Sequence, residues 1–122
     1  MNFTATSIRS FIGSKDFNIS RKFYSSMGFK ETILNPKMSL FEINDKLAFY
    51  LQDYYHKDWI ENTMIFVEVE DLDNCLANLQ SQNLTNIFDG VKLSAIVKQE
   101  WGSELFLHDP AGILWHFGTF KM

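Results

Sequence analysis

A chain of 122 residues has the size of one domain and is long enough to enclose its own core. Hydrophobic residues make up 46% and charged residues 21%, a globular balance that excludes wholesale disorder. The net charge of −4, without any basic run, argues against a nucleic-acid surface, whose phosphate contacts need clustered Lys and Arg.

The first predicted element is a strand in ATSIRSFIGSKDF, ending near Gly13. Asp16 then caps a helix, because its carboxylate can accept from the free amides of the first turn. Ser20, Phe23, Tyr24 and Met27 recur at helical spacing, and Gly28 follows as a left-handed stop. Strands are expected at Phe29–Leu34, Met38–Ile43 and Leu47–Gln52, with Pro36 between the first two and an Asn44–Asp45 turn before the third. No apolar run near the start suits a signal peptide, and no stretch approaches the ~20 apolar residues of a membrane span. A cytoplasmic, non-membrane protein is expected.

The plan then repeats. A strand is predicted from Thr63 to Val69, and Asp71 caps a second helix with Leu72, Cys75, Leu76 and Leu79 on one face. Asn83 stands where Gly28 stood, as the next-best residue for a left-handed stop. Asp16 to Asp71 and Gly28 to Asn83 are both 55 positions apart. Strands follow at Val91–Gln99, Glu104–His108 and, after the DPAG turn, Ile113–Phe120. The lone Cys75 excludes an intrachain disulfide and a cysteine-rich zinc site, and its place on the helix's buried face makes it a core residue rather than a nucleophile.

The expected fold is α+β within a single domain, 1–122. Two βαβββ modules, about 5–53 and 63–121, are joined by a linker at 54–62. With one helix per module, each curved, mixed sheet keeps one face open. Two such faces can enclose an aromatic-lined crevice, the natural place for a ligand.

The chain resembles, over nearly its full length, the glyoxalase/bleomycin-resistance/dioxygenase superfamily, or vicinal oxygen chelate fold. DFNISRKFYSSMGF is similar to that superfamily's first helix, VEVEDLDNCLANLQ to the start of its second module, and LHDPAGILWHF to its DP-x-G hairpin. QEWGSELFLHDPAG resembles in particular the bleomycin-resistance proteins, which carry a similar Q-E-W-G ahead of the same turn. Metal-dependent members place ligands on the first and last strands of each module. The resemblance puts Arg9, Tyr50, Met64 and His116 at those places. Of these only His116 suits a divalent ion, since Arg9 repels a cation and Met64 is a soft thioether. The neighbours Ser7, Phe11, Gln52 and Phe66 do not restore a three-ligand set. No metal, no cofactor and no catalytic residue is therefore expected.

Arg9, Tyr50, Met64 and the remaining candidates are read as ligand contacts. Alternation sends Leu114, His116 and Gly118 to one strand face and Trp115 to the other, which makes Trp115 core. His116 is then either a satisfied crevice residue or a polar contact for a ligand. His108 is expected at the turn and His56 at the surface; neither has a nucleophile partner. Trp101, next to Gly102, is expected near the crevice mouth, either stacking on a planar or cationic ligand or covering the end of the core. Trp59 is expected to cap the crevice or pack at a dimer interface. Glu100, with Asp53 and Asp58, would attract a cationic ligand. The resemblance implies a homodimer that sequesters a small, antibiotic-like molecule without chemistry. Two alternatives are a lyase or dioxygenase with an unusual metal set including His116, and a dimeric module that has lost any ligand.

Overall fold

A computed structural model describes residues 3–121. The elements run β1 (Phe11–Ile12), α1 (Phe17–Ser26), β2 (Lys30–Asn35), β3 (Met38–Glu42), β4 (Ala48–Gln52) and α2 (Lys57–Glu61). They continue with β5 (Met64–Glu68), α3 (Leu72–Ser81), α4 (Leu84–Ile87), β6 (Lys92–Leu93), β7 (Val97–Lys98), β8 (Gly102–His108) and β9 (Leu114–Phe120).

Local chemistry sets both long helices. Asp16 accepts from the Ile19 amide at 3.2 Å and Asp71 from the Asn74 amide at 3.0 Å, so each carboxylate satisfies one orphan donor of its first turn. Past the helix ends the chain turns left-handed at Gly28 (φ 96°) and at Asn83 (φ 57°), as their common spacing predicts. The Gln82 side chain, at the end of α3, donates to the Met27 carbonyl at the end of α1, so the two helix ends meet.

The strands form two mixed sheets on one plan, as expected for a two-module vicinal oxygen chelate fold. One has the order β1-β4-β3-β2, with β1 parallel to β4; the other has β5-β9-β8-β6, with β5 parallel to β9 and β7 also on β8. Core side chains from both meet around Trp115, whose ring packs on Tyr24, Phe49 and Phe29. Trp115, Tyr24, Phe23, Phe41 and Leu105 are wholly buried, so Trp115 is core as alternation required. Its indole N–H donates to the Tyr24 hydroxyl (2.9 Å), which donates to Asp109 in the DPAG turn (2.5 Å). The polar groups of Trp115, Tyr24 and Asp109 are thus paired with one another inside this core.

Three elements differ from expectation. The first strand is only two residues long. In its parallel register Arg9 already lies opposite Ala48, the first residue of β4, and the chain before it runs onto the Asn44–Leu47 turn. The strand expected over Val91–Gln99 is broken into β6 and β7. Leu93 pairs with Leu107 and Val97 with Glu104, so four steps on one side face three on the other, and the extra residue bulges. Ser94 fills the break, exchanging hydrogen bonds with the Phe106 backbone. The linker, finally, holds the short α2, with Asp58 in its first turn, and α4 follows Asn83. Among the described residues no helix is long and apolar enough to cross a membrane.

Candidate functional site

Alternation along β5, β8 and β9 sorts side chains between the core and an open face. Ile65, Val67, Leu105, Leu107, Trp115 and Phe117 turn inward. Met64 and Phe66 turn outward from β5, Glu104 and Phe106 from β8, and His116, Gly118 and Phe120 from β9. Met64, Phe66 and Phe120 are 64%, 43% and 49% exposed, far more than packing would leave on a covered sheet face.

These side chains form a connected aromatic surface. Phe66 meets Trp101 at 5.8 Å and Phe120 at 5.8 Å, and Trp101 meets Phe120 at 5.0 Å. The imidazole of His116 lies between Phe66, stacked at 6.3 Å, and the edge of Phe106 at 5.2 Å. Two glycines allow this closeness. A Cβ at Gly118 would lie 2.6 Å from the Phe66 ring, so the missing side chain is the seat of that ring. At Gly102 a Cβ would lie 2.1 Å from the Thr119 carbonyl, so β8 begins in direct backbone contact with β9. Trp101 sits just before this point, its carbonyl accepting from the Lys121 amide (3.0 Å), and is 36% exposed.

One polar relay crosses the surface. Nδ1 of His116 is 2.9 Å from Oε1 of Glu104, and Oε2 of Glu104 accepts from the Gln99 side-chain amide at 3.1 Å. Glu104 is buried and His116 only slightly exposed, so water contributes little to holding the pair.

The first sheet carries a smaller open patch. Phe11 stacks on Tyr50 at 4.7 Å, and the exposed Arg9 donates to the Tyr50 hydroxyl at 3.0 Å. A cleft of about 350 Å³ runs from Ile8 and Ser10, past Phe49 and Trp115, to Phe66 and Glu68 on β5. A wider, shallow groove along α1, lined by Lys15, Lys22 and Pro110, shares no residue with either surface.

The structure therefore brings Met64, Trp101 and His116 together on one sheet and pairs Arg9 with Tyr50 on the other. Glu100 lies exposed in the β7–β8 turn beside Trp101. Trp59 stands apart from both groups. It packs on Tyr54 at 5.6 Å and over Gly13, where a Cβ would touch its ring. His108 is partly buried, and that burial, with Lys92 nearby, pushes its pKa down; His56 caps α2. Burial raises the Cys75 thiol, which leaves it a poor nucleophile. The donor set Arg9, Tyr50, Met64 and His116 does not suit a divalent ion. Among the described residues no three His, Cys, Asp or Glu side chains gather in a chelating group.

Sequence reasoning missed Glu104, Gln99 and Phe120. Phe120 and Glu104 were accessible by carrying the His116 alternation along β9 and across to β8; Gln99 reaches Glu104 only through the tight turn in which its amide donates to the Gly102 carbonyl (2.7 Å).

Two mixed sheets on one plan, βαβββ with the second module's second strand broken into β6 and β7, match the glyoxalase/bleomycin-resistance/dioxygenase fold. Comparison with solved structures shows that fold directly. A bleomycin-binding protein in complex with bleomycin superposes with a TM-score of 0.80 at 19% identity, over 96% of this chain and 100% of that one. The bleomycin-binding protein of bleomycin-producing Streptomyces verticillus, in complex with copper(II)-bleomycin, gives 0.78 at 17% identity, over 98% and 100%. A glyoxalase/bleomycin resistance protein from Catenulispora acidiphila gives 0.75 at 18% identity, over 96% and 100%. No protein-family description matches the sequence, and no curated protein is similar to it in sequence.

Proposed function

We propose that this chain is a metal-free binding protein that sequesters a flat, antibiotic-like small molecule in the cytoplasm, without covalent chemistry. The observation that carries this reading is the aromatic surface of Phe66, Trp101 and Phe120 around His116, open to solvent on a rigid sheet. Ring faces of this kind suit a planar or cationic ligand, through stacking and desolvation. Proteins of the same fold are bound to bleomycin and to copper(II)-bleomycin. The working form is a homodimer. Exposed apolar side chains, among them Ile8, Ile33 and Met64, are then covered, and the Arg9–Tyr50 patch of one copy completes a crevice with the His116 surface of the other.

The test is a tryptophan-fluorescence titration with bleomycin, metal-free and copper-loaded, with and without EDTA, alongside elemental analysis of the purified protein. Saturable quenching by the metal-free drug, unchanged by the chelator, supports the reading. The absence of any antibiotic that raises the thermal midpoint overturns sequestration. About one equivalent of divalent metal per chain overturns the metal-free assignment.

A further inference from the structure

Among the described residues two polar groups of the aromatic surface have no protein partner, the indole N–H of Trp101 and Nε2 of His116, and only the second can accept a hydrogen bond. Nδ1 of His116 is engaged by Glu104, whereas Nε2 has no protein partner among the described residues. Nε2 is not among the fully buried unpaired atoms, which are Ser20 Oγ and Gln82 Oε1, and the His116 side chain is partly exposed. The relay decides what this atom can do. One Glu104 oxygen already accepts from Gln99, and a carboxylate has no proton to offer, so the other oxygen accepts from Nδ1–H of the imidazole. A neutral ring protonated at Nδ1 presents a bare lone pair at Nε2.

We infer that Glu104 is a positioning residue that fixes His116 as a hydrogen-bond acceptor on the aromatic surface, so that the site selects flat ligands carrying an in-plane N–H or O–H donor. The inference rests on the reading of this surface as a ligand wall and adds the chemistry that wall demands. Phe66 and Phe106 flank the imidazole, so a stacked ligand brings its ring edge to Nε2. A ligand that offers only an acceptor there would leave two lone pairs opposed in a partly desolvated place, which is unfavourable.

Two measurements test this. The first needs no ligand. Nitrogen NMR of the imidazole at about pH 8, where histidine is ordinarily neutral, should show the proton on Nδ1 in the parent protein. In Glu104→Gln, Gln99 still donates to the side-chain oxygen of residue 104, whose new amide donates to Nδ1, and the proton moves to Nε2. A parent ring protonated at Nε2, or at both nitrogens, overturns the inference. The second uses indole and benzofuran, which share one shape but of which only indole has an N–H donor, titrated against the backbone amides of Trp101 and Gly118.

The parent should bind indole roughly 2- to 12-fold more tightly, the range of one net hydrogen bond. Glu104→Gln should lose that preference while still binding benzofuran. His116→Phe, which keeps an aromatic ring but leaves Glu104 Oε1 without its donor, should bind both probes equally where it folds, and it decides the matter should Glu104→Gln fail to fold. Equal binding of both probes by the parent overturns the donor selectivity and leaves the ligand wall standing. Binding of neither probe to this surface overturns the ligand wall and the inference with it.

Discussion

Asp109 ties the turn before β9 to the core, and its burial should make stability depend on pH with a definite sign. The side chain is wholly buried. Oδ1 accepts from the amides of Ala111, Gly112 and Ile113, each at 2.9 Å, and Oδ2 accepts from the Tyr24 hydroxyl. Burial is the larger influence and pushes the carboxyl from an ordinary 3.8 up to about 6, against those four donors. An acid raised in this way holds its proton more firmly folded than unfolded. Its stabilising contribution is complete below about pH 4 and is lost as the pH rises through about 6. Roughly two pK units correspond to about 3 kcal/mol in full, of which about 2 kcal/mol falls between about pH 4.5 and about pH 7.5.

Asp109→Asn keeps the size and removes the charge, so the variant lacks this slope. Urea unfolding of both proteins at the two pH values isolates it, because every other titrating group is shared and cancels in the difference. The stability gap should move by about 2 kcal/mol in the variant's favour as the pH rises. Parallel pH profiles, or a gap that moves the other way, would refute the reasoning and show that the four donors outweigh burial.

Other substitutions separate binding from folding. Trp115→Ala should cost ~3–5 kcal/mol in urea unfolding, whereas the partly exposed Trp101→Ala should cost less than half of that while weakening bleomycin binding ~5- to 150-fold. A large stability loss at Trp101 with unchanged affinity would make it core. Gly102→Ala forces a Cβ onto the Thr119 carbonyl, a backbone atom that cannot swing aside, and should cost ~3 kcal/mol or more. At Gly118 the obstruction is the movable Phe66 ring, so Gly118→Ala should affect affinity more than the unfolding midpoint. Met64→Asp places a charge on the most exposed part of the aromatic surface and should shift sedimentation from dimer to monomer with helix content unchanged; a variant that stays dimeric removes this surface from the interface.

Features decided by a few neighbouring residues were legible in the sequence. The Asp16 and Asp71 caps depend on one side chain reaching an amide three residues on, and the Gly28 and Asn83 stops on a backbone angle that few residues tolerate. Alternation along LWHFGTF correctly placed Trp115 inside and His116 outside. The shortness of β1 was not legible, because its extent is set by pairing with β4, some forty positions away. Nor was the break between β6 and β7, which exists only relative to the register of β8. The place of Trp59 was not legible either, because it is the α2 turn in the linker that lays its ring onto Tyr54 and over Gly13.

The Glu104–His116 relay shows why a site can stay hidden when each of its residues is plain to see. Across β8 and β9, His116 lies opposite Phe106, and Glu104 lies opposite Gly118. The carboxylate therefore reaches the imidazole along a diagonal, over a position where the neighbouring residue has no side chain in the way. That diagonal is set by the His108–Leu114 closure of the DPAG turn, which depends on Asp109 gathering three amides onto one oxygen. A one-residue slip of the turn would send His116 to the core face and Trp115 to solvent. The turn thus does two things at once: Asp109 anchors it to the core through Tyr24, and its register sets His116 on the aromatic surface beside Glu104.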